Sequence, residues 1–115
     1  MPHTTATVAD TTLAPGLAER ERGLEELRQA APRLRARGIT HLSLFGSMAR
    51  GEAGPRSDVD LLIEVDRNSR FSLFDLVDLQ DDLLELLGRP AHFAFATKLR
   101  PWLHEEIRAE AISIF

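Results

Sequence analysis

The sequence predicts an α/β (α+β) domain in which helices flank a small mixed β-sheet. Three short apolar runs, Ile39 to Phe45, Val59 to Val65 and Ala91 to Ala96, are set off by Gly or Pro and read as strands. Two longer stretches, 15–30 and 73–87, repeat their apolar residues at helical spacing and read as helices. With 115 residues the chain supplies the core of one domain and not of two.

Residues 1–14 are rich in Thr and Ala and lack the basic region and apolar core of a signal peptide, so they read as a flexible N-terminal tail. The folded domain is expected over 15–115. From Pro15 to Ala30, Leu17, Leu24, Leu27 and the following Ala31 share one face, with Glu19, Glu21, Glu25 and Glu26 on the others. Pro32 suits a first helical turn, so Pro32 to Arg37 is expected as a second short helix ending at Gly38. The strand Ile39 to Phe45 stops at Gly46, and Ser47 is placed to cap a brief helix through Met48, Ala49 and Arg50. Gly51 to Ser57 reads as a loop.

The next strand, Asp58 to Val65, puts Val59, Leu61, Ile63 and Val65 on one face and Asp58, Asp60, Leu62 and Glu64 on the other. Ser72 caps a helix over Leu73 to Leu87, whose leucines and Val77 cover about half the circumference. Asp75, Asp78, Asp81, Asp82 and Glu85 take most of the remainder, with Phe74 among them. That acidic face reads first as a solvated surface, although a basic partner would relieve its self-repulsion. In the third strand Phe93 and Phe95 face one way, and His92, Ala94 and Ala96 the other. Pro101 starts a last helix through Glu110, and Ile112 to Phe115 adds a short terminal strand. Trp102 reads as core ahead of an interface anchor; His41 reads as packed or partly exposed and not catalytic, and His104 as a helix-surface residue.

Composition narrows the function classes. Apolar residues make up 43% of the chain, and no run approaches the roughly 18 residues a membrane span needs. The absence of cysteine removes disulfides, thiolate catalysis and thiolate-bound zinc, and suits a cytoplasmic protein. Net charge is −4 with the basic residues scattered, which argues against direct nucleic-acid binding.

The chemistry gathers around Gly46-Ser47 and Asp58-Val59-Asp60. On a strand, residues i and i+2 lie on one face about 6.5 Å apart. Two carboxylates at that separation repel by roughly 3 kcal/mol at an effective dielectric near 20, so a divalent cation is their natural occupant. Gly46-Ser47 sits where a strand hands over to a helix, whose free N–H groups can hold a phosphate. A phosphate holder beside a metal holder suggests phosphoryl or nucleotidyl transfer. Arg50 and Arg56 flank the pocket and would neutralise polyphosphate charge, or else they are solvated loop residues.

From Leu44 to Glu64 the chain reads Leu-Phe-Gly-Ser-Met-Ala-Arg-Gly-Glu-Ala-Gly-Pro-Arg-Ser-Asp-Val-Asp-Leu-Leu-Ile-Glu. This segment resembles the signature of the minimal nucleotidyltransferases (MNT) of the DNA polymerase β superfamily, especially the small antitoxins that accompany HEPN ribonuclease toxins. A looser resemblance extends from about Leu24 to the C-terminus. It implies a polymerase β palm-like nucleotidyltransferase fold, with Asp58 and Asp60 binding Mg2+, or Mn2+, and Gly46, Ser47, Arg50 and Ser57 binding nucleotide. It implies transfer of AMP from ATP to a hydroxyl, a tyrosine of a HEPN-type toxin. The assembly left open is a homo- or hetero-oligomer.

One position departs from the family pattern. Where the family carries a third acidic residue on the neighbouring strand, this chain has His92. Imidazole can accept a proton or bind a metal, so His92 is either a substituted catalytic residue or the mark of lost catalysis. The second case implies an antitoxin that neutralises its toxin by binding alone. A third reading is a transferase acting on a small hydroxylated molecule.

Overall fold

The computed structural model describes residues 14–54 and 56–115. The expected tail, apart from Ala14, lies outside the described residues. Helix α1 spans Pro15–Gln29 and α2 Ala31–Ala36, followed by β1 over Ile39–Phe45 and a four-residue α3 over Gly46–Ala49. Strand β2 covers Val59–Val65, α4 Leu73–Leu87 and β3 Ala91–Phe95. A 3-10 turn at Ala96–Lys98 leads to α5, Pro101–Glu110, and to β4, Ile112–Ser113.

The sheet is mixed, in the order β3-β2-β1-β4. β1 runs antiparallel to both β2 and β4, whereas β2 and β3 are parallel. A parallel pair needs a long crossover, and α4 supplies it. Ser72 starts that helix with a capping box: its side chain accepts the Asp75 N–H, and the Asp75 side chain accepts the Ser72 N–H. Those bonds from Ser72 hold the exposed Asp75 carboxyl below the usual carboxylate range. Gly88, with φ of +72°, ends the helix in the left-handed conformation.

The strand alternation read from sequence sorts the core into two layers. Val59, Leu61 and Ile63 join Leu42, Leu44, Leu24, Leu27, Leu79 and Leu83 in the main core, where they meet α1 and α4. The opposite sheet face carries Leu62, which packs with Ala96 and Ile107 and beside Phe45, Ala94 and Leu103 under α5. The face that bears Asp60 is therefore covered at one end by α5 and open at the other.

Several expectations are corrected. Helix α2 begins at Ala31 and ends at Ala36, one residue early at each end, because Ala30 is itself in the right-handed helical region. α3 starts at Gly46, so the N-cap is Phe45 and Ser47 lies inside the helix without capping it. Trp102 is 59% exposed, since α5 buries the Leu103 and Ile107 line and Trp102 sits about 100° around the helix from Leu103. Leu73, Phe74, Val77 and Leu84 on α4 are also exposed. A helix laid on one sheet face buries only the arc around Leu79 and Leu83, and the expected apolar half-circumference was wider than that.

One buried ion pair ties three segments together. Arg89, in the turn between α4 and β3, pairs with Glu19 of α1, and its second nitrogen donates to the Gly54 carbonyl at 3.2 Å. Their side chains are 10% and 16% exposed. Arg89→Ala is expected to lower unfolding free energy by about 3 kcal/mol in urea denaturation, because it strands a buried carboxylate. The loss stays at the low end of that class because Arg22 also reaches Glu19, at 3.2 Å.

Candidate active site

The end of β1 carries the first part of the site. Phe45 pairs with Asp60 across the antiparallel ladder, which sets Gly46 directly beside the Asp60 side chain. Gly46 adopts φ of +76°, and a Cβ there would overlap Asp60 Oδ2. Only glycine satisfies both the left-handed backbone and the close approach.

The second part comes from β2 and β3. The Val59 N–H donates to the Pro90 carbonyl at 2.9 Å, and the parallel register that follows pairs Asp60 with His92. His92 Nε2 lies 2.8 Å from Asp58 Oδ2. The structure thus brings together Asp58, Asp60 and His92, as the strand phase predicted. Burial is the main cause pushing the Asp60 carboxyl above the usual carboxylate range; the charge of Asp58 and, more weakly, Glu110 adds to it, and His92 and Arg50 oppose it.

Ser57 closes the loop ahead of β2. Its hydroxyl accepts the Gly54 N–H at 2.9 Å, while its own N–H donates to the Gly54 carbonyl at 3.1 Å. This reciprocal clasp shapes the loop that delivers Asp58, and the hydroxyl keeps its own O–H to donate. Arg56 is exposed. Glu64 stands further along β2 with a half-exposed side chain near His41, away from the aspartates.

Arg50 lies beside Gly46, but carboxylates already engage it. Its Nε donates to Glu52 at 3.1 Å and one terminal nitrogen donates to Glu110 Oε2 at 3.1 Å. Hydrogen bonds to Glu52 and then Glu110 raise its pKa further above the ordinary guanidinium value. Glu110 Oε1 also accepts the Gly46 N–H at 3.1 Å. Sequence reasoning missed Glu110. It ends the last helix, 64 residues from Gly46, and the packing of α5 beside Phe45 together with the pairing of β4 with β1 brings the two together.

An open groove of about 670 Å³ adjoins this cluster, lined by Phe45, Gly46, Arg50, Leu103, Ile107 and Glu110. A smaller cavity of about 410 Å³ between Arg37, Phe71 and Asp75 is lined by none of the site residues. Among the described residues no group of three or more His, Cys, Asp and Glu side chains is arranged to hold a metal by itself. Two carboxylates fit magnesium nonetheless, because that ion takes one or two carboxylates and completes its shell with water and substrate phosphate. No described helix is long and apolar enough to cross a membrane.

Comparison with known proteins agrees with this geometry. A family model for the nucleotidyltransferase domain matches residues 24–114. A Methanocaldococcus jannaschii protein, provisionally named a protein adenylyltransferase, is 36% identical over 87 residues, which is 76% of this chain and 91% of that protein. The protein adenylyltransferase MntA of Thermococcus cleftensis is 30% identical over 77 residues, 67% of this chain and 76% of that one. A solved structure provisionally described as a minimal nucleotidyltransferase superposes with a TM-score of 0.64 at 39% identity, covering 77% of this chain and 93% of the other. A toxin–antitoxin structure with AMP-PNP shares the fold, with a TM-score of 0.63 at 16% identity over 78% of this chain and 72% of that one. The chain belongs to the nucleotidyltransferase domain family, among its minimal, MntA-like members.

Proposed function

We propose that this nucleotidyltransferase moves AMP from ATP to a hydroxyl group, a tyrosine of a partner HEPN-type toxin, with pyrophosphate as the leaving group, and so acts as an antitoxin. The observation that carries the reading is the convergence of Asp58, Asp60 and His92 beside the Gly46 turn. The names of the relatives, protein adenylyltransferases, support the AMP group and the protein acceptor. The toxin–antitoxin neighbour with AMP-PNP supports a nucleotide and a toxin partner.

Asp58 and Asp60 would hold Mg2+ or Mn2+, which would supply neutralisation of triphosphate charge and Lewis-acid polarisation of the phosphoryl group. The rest falls to the chain itself. The missing side chain at Gly46 lets a phosphate approach the backbone, and the Ser47 hydroxyl and neighbouring N–H groups receive its oxygens. Arg50 supplies a positive charge near the developing negative one. With Asp58 ionised, His92 donates its Nε2 proton to that carboxylate, which leaves Nδ1 as the acceptor for a substrate hydroxyl proton.

A second reading rests on the same hydrogen bond. His92 occupies a lone pair of Asp58 that a cation would use. A binding antitoxin with impaired catalysis would tolerate that arrangement. Intact-mass analysis of chain and toxin incubated with ATP and either Mg2+ or Mn2+ separates the two. Catalysis adds one AMP to the toxin under at least one ion. An unmodified toxin in a stable complex under both ions leaves neutralisation by binding.

A further inference from the structure

We propose that Glu110 is an internal anion seated on the phosphate side of this site, and that an incoming nucleotide displaces it. The inference rests on the nucleotide-binding reading above and adds a residue that sets affinity and anion selectivity.

The two donors that converge on Glu110 are the Gly46 N–H, at 3.1 Å, and Arg50, at 3.1 Å. One is the backbone donor of the glycine turn, and the other is the cation beside it. A carboxylate bridging a main-chain N–H and a guanidinium makes the same contacts that a phosphate oxygen would make. Glu110 is held there from both sides. It is the last residue of α5, and Ile112 and Ser113 immediately beyond it pair with Leu44 and Ser43 of β1, just before Gly46.

The charge balance argues against a simple brace. Glu52 and Glu110 already engage the cation Arg50, and Glu110 adds a further negative charge at the Gly46 turn, which itself lies against Asp60. A neutral side chain would hold the turn without that added charge. An anion in this position raises the threshold for other anions. Inorganic phosphate or AMP, arriving with little countercharge, meets the carboxylates of Asp58, Asp60 and Glu110 and a guanidinium already engaged. A triphosphate arriving with divalent cations neutralises Asp58 and Asp60, takes the Gly46 N–H and Arg50, and turns Glu110 out toward the open groove it lines.

The test is calorimetric titration of the full chain with AMP-PNP and Mg2+, in wild type, Glu110→Gln and Glu110→Ala, with thermal unfolding of each variant alongside. Glutamine keeps the shape and can still accept the Gly46 N–H, so it removes the charge and leaves a brace intact. Glu110→Gln is expected to bind the analogue about tenfold tighter, with a larger gain for inorganic phosphate and an unchanged melting temperature. Equal or weaker binding in Glu110→Gln, where wild type binds, overturns the role of Glu110 and leaves the nucleotide reading standing. Weaker binding confined to Glu110→Ala, with a lower melting temperature, identifies a structural brace and also overturns it. No binding by any of the three proteins overturns both.

Discussion

Replacing Asp58 and Asp60 together by Asn is expected to abolish AMP transfer, by at least about a thousandfold, while the protein remains folded. In the proposed mechanism the two carboxylates carry the charge that holds the divalent cations, and asparagine offers no negative charge. The fold does not depend on them. Asp58 is exposed, and Asp60 is a carboxyl whose charged form is already disfavoured by burial and by Asp58. Neutralising it removes repulsion, so the melting temperature should hold or rise slightly. In Asp58→Asn the side-chain amide oxygen would still accept a hydrogen bond from His92, and the backbone ladder that sets the register of β3 is untouched. A paired measurement of toxin modification by mass and of thermal unfolding checks both halves.

Gly46→Ala should damage stability and activity together. The left-handed backbone at φ of +76° costs an L-residue roughly 1–2 kcal/mol, and the added methyl also overlaps Asp60 Oδ2. Asp60 must move, and a displacement near 1 Å at a reacting centre costs on the order of a hundredfold in rate. Gly51→Ala is the control. Gly51 has φ of +74° and its added Cβ would meet Leu17, so the substitution strains the chain without touching either aspartate. It should lose comparable stability in urea denaturation yet keep far more of the transfer rate measured on the folded protein.

Local patterns carried much of this fold. The period-2 alternation of Val59 to Val65 placed Asp60 and Leu62 on the face opposite the main core, and the same phase in Ala91 to Phe95 turned His92 toward the aspartates. Ser72 marked the start of α4 because a cap is a short-range event, and the structure adds the reciprocal bond from Asp75. What the sequence concealed was set by tertiary contact. The width of the buried arc on α4 depends on how the helix lies on the sheet, which left Leu73, Val77 and Leu84 exposed. That the Ser57 hydroxyl, read as a nucleotide ligand within the Ser-Asp-x-Asp string, also closes its own loop on Gly54 could not be read from the string. Glu110 was invisible because its partners are Gly46 and Arg50, and no local rule links the end of the last helix to the end of the first strand.

The account turns on Asp58 and Asp60 as the seat of the cations that accompany a triphosphate. A crystal grown with AMP-PNP and Mn2+, with data collected at a wavelength where manganese scatters anomalously, addresses that claim directly. The prediction is an anomalous peak in contact with both carboxylates and with the triphosphate, which lies against the Gly46 turn. Ordered nucleotide bound elsewhere, with no manganese between Asp58 and Asp60, would contradict it.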